Sequence, residues 1–65
     1  MIGYVAKDKD GEIYLHREKP NYDSNYEGWF ASFSVGLCIT NEFSEFDNLK
    51  YTDEPVKVEI KLEKI

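Results

Sequence analysis

A chain of 65 residues with net charge −5, 15% aromatic residues and a single cysteine, Cys38, has room for one domain with a thin core, because a domain of this size buries only about 60% of the surface its unfolded chain exposes. One cysteine excludes a disulfide framework, no apolar run approaches membrane-spanning length, and Met1-Ile2-Gly3-Tyr4 lacks the basic-then-apolar order of a signal peptide, so a cytoplasmic protein without a membrane partner is expected. Residues 21–55 hold seven acids and only one base, Lys50, against four and four in residues 1–20 and two and three in residues 56–65, a segment that repels phosphate, disfavours direct nucleic-acid binding and suits a basic protein partner.

Ile2-Gly3-Tyr4-Val5-Ala6 and Glu12-Ile13-Tyr14-Leu15-His16 are β-rich runs around Lys7-Asp8-Lys9-Asp10-Gly11. That pattern predicts a hairpin, with Gly11 in the left-handed region and Asp8 or Asp10 bonding the turn backbone. Lys19-Pro20 ends the second strand, and the polar stretch Asn21-Tyr22-Asp23-Ser24-Asn25 reads as an exposed loop. Over residues 29–39 every odd position is apolar: Trp29, Ala31, Phe33, Val35, Leu37 and Ile39. This predicts one strand bent at Gly36 or a tight hairpin. Phe43, Phe46 and Leu49 recur at three-residue spacing behind a cap at Thr40 or Asn41, which predicts a short helix or helical turn near residues 41–49. Thr52-Asp53-Glu54 reads as a turn, Pro55 as a strand start, and residues 56–63 alternate aliphatic and charged side chains strictly. The expected fold is mainly β: one domain over residues 1–65, a small antiparallel sheet of four to five strands in meander order, with that one helical element.

Candidate chemistry is sparse. Asp8-Lys9-Asp10-Gly11 resembles the centre of a calcium-binding EF-hand loop, but aligning Gly11 with the loop glycine puts Ala6 and Arg17 at positions that need carboxylates. A turn is the expected role. His16 is the only histidine, so no catalytic or metal set can use two imidazoles. Cys38, in Gly36-Leu37-Cys38-Ile39, reads as a half-buried, unreactive thiol. The pairs Asp53-Glu54 and Glu45/Asp47 fall in exposed turns, where no desolvation tunes a carboxylate for acid–base work. The four glycines match no phosphate-binding loop. No catalytic residue, metal or cofactor is expected, and a cavity holding a strongly perturbed titratable group would be the sign of an enzyme.

Aromatic residues carry the functional expectation. Tyr22, Tyr26, Trp29 and Phe30 crowd a loop-to-strand junction, and Trp29 and Phe30 must point to opposite faces of a strand. With Asp23, Glu27, Glu42 and Glu45 they form the expected interface of a non-enzymatic protein-interaction domain, an inhibitor or regulator of a basic partner. The structural alternative has the tyrosines folding back over the core. The alternative function is a small-ligand or metal-binding module built from the carboxylates with His16 and Cys38. Residues 29–39 offer an uncharged strand edge, and a homodimer through that segment, anchored by Phe30, is expected.

The succession Val5-Ala6-Lys7-Asp8-Lys9-Asp10-Gly11-Glu12-Ile13-Tyr14-Leu15, Lys19-Pro20, a loop to Trp29, and Leu49-Lys50-Tyr51-Thr52-Asp53-Glu54-Pro55-Val56-Lys57-Val58-Glu59 resembles a group of short proteins of anaerobic gut bacteria and their phages. Tyr51 stands where Trp is as common. The resemblance covers both ends of the chain and little of residues 21–48, and implies a self-contained small domain with no activity to carry over.

Overall fold

A computed structural model describes residues 1–32 and 36–60. Six short strands form two antiparallel sheets. Strand β1 (Ile2–Lys7) is the axis of the larger one. It pairs with β2 (Ile13–His16), with Tyr4 opposite His16 and Lys7 opposite Ile13, and with β6 (Val56–Glu59), with Ile2 opposite Glu59 and Val5 opposite Val56. Strand β5 (Leu37–Cys38) adds to the other side of β2, giving the order β5-β2-β1-β6. Strands β3 (Asn21–Asp23) and β4 (Gly28–Phe30) form a separate hairpin.

The β1–β2 connection is built as its residues require. Gly11 sits at φ +96°, its N–H bonds the Asp8 carbonyl, and the Asp10 carboxylate accepts the Glu12 N–H at 2.9 Å. Asp10 is therefore the turn-forming acid. Because partnered residues share a face, Val5, Ile13, Leu15 and Val58 lie on one side of the sheet and Ala6, Tyr14 and His16 on the other. The first side is the core: Val5, Ile13 and Ile39 are buried, and Leu15, Phe46, Leu49 and Val58 pack against them. The second side carries the site described below.

A meander holds within the two hairpins but not for the outer strands. Residues 39–55 cross the core face, where Phe46 and Leu49 pack, and deliver β6 to the free edge of β1 rather than beside β5. A 3-10 turn, Ser44–Phe46, falls within the expected 41–49 stretch. It has no side-chain cap. Thr40 instead accepts the Ile13 N–H and donates to Glu12, and Asn41 takes φ 67°. Lys50 and Asp53 close the turn before Pro55 and β6, as expected. Strand β6 keeps the alternation over Val56–Glu59, and residues 61–63 lie outside the described residues.

Two expectations are corrected. Residues 21–25 are exposed and Ser24 and Asn25 lie in a turn, but Asn21–Asp23 is a strand whose pairing places Tyr22 opposite Trp29. Cross-strand aromatic packing outweighs the turn propensity of Asn and Asp there. The described parts of residues 29–39 belong to neither one bent strand nor one hairpin, because among the described residues β4 pairs with β3 and β5 with β2, in different sheets. Ala31 and Ile39 are buried as their odd positions suggest, but Leu37 is 63% exposed on the outermost described strand, and Phe33 and Val35 lie outside the described residues. Among the described residues no helix is long and apolar enough to cross a membrane.

Candidate functional site

The side of the sheet away from the core holds two buried ionisable side chains. Asp8 follows β1 directly and is only 7% exposed. Its carboxylate accepts the Trp29 backbone N–H at 2.9 Å. Gly28 makes room for it, since a Cβ there would stand 2.7 Å from the Asp8 carboxyl carbon. Burial raises the Asp8 carboxyl above its ordinary 3.8, opposed by the Trp29 hydrogen bond and reinforced by the charge of Asp10.

His16, at the end of β2, is 4% exposed. Gly36 lies against its ring, where a Cβ would approach Cε1 to 2.8 Å. Neither ring nitrogen has a hydrogen-bond partner among the described residues. Burial lowers the imidazole below 6.5, with the nearby Asp8 charge opposing, so the ring is neutral at pH 7 and offers one donor and one acceptor. Leaving such a buried polar atom unpaired costs about 1–3 kcal/mol.

Both groups border one open cavity of about 320 Å³, walled by Tyr14, Tyr26, Trp29 and Phe30 and also lined by Ala31 and Gly36. A second hollow of about 370 Å³ shares Asp8, Tyr14 and Tyr26 and adds Lys9, Asp10 and Glu27. There Lys9 is tied to Glu27 by a 3.1 Å ion pair, so Asp8 and Asp10 are the carboxylates left facing inward without a lysine or arginine partner among the described residues. The first cavity has an apolar, aromatic wall with a hydrogen-bonding floor, and the second an acidic rim. Two titratable groups shifted by burial thus share a cavity, but among the described residues its lining supplies no Ser, Thr, Cys or Lys side chain as a nucleophile.

The expected interface residues divide into four sets. Tyr22 and Trp29 pack edge to face at 5.5 Å, and Tyr51 completes the cluster, 6.2 Å from Tyr22, with its carbonyl accepting the Trp29 indole N–H at 3.1 Å. These rings fold back on the domain in part. Tyr26 and Phe30 do not: they are 63% and 56% exposed. Asp23 caps the hairpin turn through the Asn25 and Tyr26 N–H groups, and Glu27 sits there at φ 60°. Glu42 and Glu45 belong elsewhere. Both are exposed in the Thr40 to Phe46 stretch, and Glu45 borders a different hollow on the core side, with Val5 and Phe43.

His16 and Cys38 do not meet. Cys38 is exposed rather than half-buried, because β5 is the outermost described strand on its side, and its thiol contacts the Glu12 carboxylate at 3.6 Å and the Thr40 hydroxyl at 3.4 Å. Among the described residues no group of three or more His, Cys, Asp and Glu could hold a metal ion. Asp8 and Tyr51 are missing from the expected interface, and His16 enters the expectations only through the alternative ligand or metal module with Cys38. The signal for Asp8 and His16 was parity, since even-numbered Asp8, Tyr14 and His16 continue the face of Ala6, whereas nothing local ties Tyr51 to a strand 22 residues away. No protein family, curated protein or solved structure matches the chain.

Proposed function

We propose that the chain is a non-enzymatic, cytoplasmic protein-interaction domain that presents its β3–β4 hairpin to a basic protein surface and so regulates or inhibits that partner. The observation that carries this reading is the pair of exposed aromatic rings, Tyr26 and Phe30, on a hairpin that also bears Asp23 and Glu27. Exposed aromatics ringed by charge are the composition of an interface centre and rim. The surplus of acid in residues 21–55 gives that surface its preference for a cationic partner and makes association salt-sensitive.

Affinity capture from lysate at low salt, run beside a Tyr26→Ser/Phe30→Ser variant, tests the reading. Basic proteins retained by the wild-type chain are expected to be lost at high salt and lost with the double variant, whose thermal melt stays unchanged. Retention indifferent to salt, or unaltered in the variant, overturns it. Self-association is a second reading, favoured by Leu37, 63% exposed on an outer strand without charged residues. Sedimentation of a monomer at high micromolar concentration would exclude it.

A further inference from the structure

We infer that the Asp8–His16 cavity is a guanidinium site, filled by an arginine side chain of the basic partner. This deepens the proposed interaction and rests on it. Three independent features converge on one cation of that shape. The floor carries a buried carboxylate, Asp8, of which the Trp29 N–H occupies one oxygen, Oδ1. Beside it lies His16, nine-tenths buried, with both ring nitrogens unpaired among the described residues. The walls are aromatic: Tyr14, Tyr26, Trp29 and Phe30.

Each feature discriminates. A buried carboxylate beneath aromatic walls calls for a cation, and in the adjoining hollow Asp10, beside the Lys9–Glu27 ion pair, extends the negative field outward along the approach. Among cations the guanidinium is planar, stacks on aromatic faces and is less strongly hydrated than an ammonium, so it enters such a pocket with a smaller desolvation cost. It has donors only, in a fork that serves the carboxylate and one imidazole nitrogen together. The absence of side chains at Gly28 and Gly36 seats both floor groups, as a Cβ at either would stand within 2.9 Å of Asp8 or His16. Tyr26 and Phe30 belong both to the exposed hairpin surface and to the cavity wall, so an arginine from a partner docked on the hairpin reaches the floor directly.

The test uses short blocked glycine peptides with a central arginine, lysine or citrulline, titrated into the whole chain while the His16 ring nitrogens are followed by NMR. The arginine peptide alone is expected to shift those signals. Asp8→Asn keeps an oxygen for the Trp29 N–H and removes the charge, and is expected to weaken arginine-peptide binding about ten- to a hundredfold, the range of a charged hydrogen bond. Equal shifts with lysine or citrulline, or equal affinity in Asp8→Asn, overturn the site. Agmatine binding far tighter than the peptide assigns the site to a free small molecule and overturns the arginine source. Lysate capture that is unchanged in Asp8→Asn but lost in Tyr26→Ser/Phe30→Ser overturns the guanidinium site and leaves the interaction reading standing. Arginine-selective peptide binding without any salt-sensitive capture supports the guanidinium site and overturns the protein partner alone.

Discussion

The carboxylate of Asp8 holds the backbone N–H of Trp29 at 2.9 Å, so the residue that opens the β1–β2 turn is also the clasp that fixes the β3–β4 hairpin to the larger sheet. Asp8→Ala strands that N–H. It is expected to lower unfolding free energy by about 1–3 kcal/mol in urea titrations, a large share of the stability of so small a domain. Asp8→Asn, which retains an acceptor, is expected to cost less. Equal urea midpoints for Ala and wild type would show that the clasp contributes nothing.

The glycines separate steric from conformational cost. Gly36→Ala drives a methyl to 2.8 Å from the His16 ring, and Gly28→Ala to 2.7 Å from Asp8, overpacking that is expected to cost about 1–3 kcal/mol each. Gly11→Ala meets no atom within 4 Å, yet φ +96° is unfavourable for any residue with a Cβ, and a loss of about 1 kcal/mol is expected from backbone strain alone. Thermal melts of the three variants measure both effects. A Gly36→Ala protein as stable as wild type would mean that the imidazole is free to swing aside.

Acidification probes His16. Its folded imidazole, held below 6.5 by burial, takes up a proton less readily than in the unfolded chain. Its contribution to stability is therefore complete above 6.5 and is lost as pH falls through the folded-state value. Asp8, raised above 3.8, acts in the opposite sense: its contribution is complete below 3.8 and is lost as pH rises through its folded-state value. Asp8, Tyr4, Tyr14, Cys38, Lys57 and Glu59 share the His16 face and Tyr26 lines its cavity, and the difference between wild type and His16→Phe isolates the histidine. That difference is expected to move in favour of His16→Phe as pH drops from about 7 to about 5. An NMR titration with a wild-type midpoint above 6.5 would contradict the burial argument.

Strand placement was legible wherever periodicity and turn chemistry agreed. The alternation of Val56-Lys57-Val58-Glu59 behind Pro55 and the Asp10-Gly11 turn are local signals, and both strands and turn stand where those residues put them. The hairpin at Asn21–Asp23 was not legible, because its stability comes from Tyr22 meeting Trp29 across the pairing and Tyr51 from a distant segment. The cavity was hidden for the same reason. Asp8 reads as a turn residue until β4 supplies an N–H for its carboxylate, and His16 reads as an ordinary strand residue until Gly36 is laid against its ring. Exposed aromatics were half legible: Trp29 and Phe30 had to diverge, but only the second ring projects to solvent.

Surface and core substitutions should separate cleanly. Tyr26→Ser and Phe30→Ser remove rings that are more than half exposed, and their unfolding free energies are expected to stay within about 0.5 kcal/mol of wild type. Ile13→Ala empties a buried position at the centre of the core and is expected to cost about 2–5 kcal/mol, enough to leave much of the chain unfolded. A circular-dichroism melt of each variant decides. Destabilisation by Phe30→Ser as large as by Ile13→Ala would place that ring in the core.

Cys38 offers a direct check on the outer edge. An exposed thiol on β5 is expected to react with a maleimide in the native state as fast as in denaturant, to one adduct per chain by mass. Protection that disappears on unfolding would show β5 to be covered.

The pairing of Ile2 with Glu59 and of Val5 with Val56 also governs how the chain reaches its fold. Strand β1 is flanked by the last described strand, so one side of β1 stays bare until residues 56–59 exist. Closing that long loop is an entropic toll levied before any of the pairing is gained, and it places folding in the slower range of small domains, milliseconds to seconds. Until then the β1 edge of the β5-β2-β1 sheet is open to any passing strand.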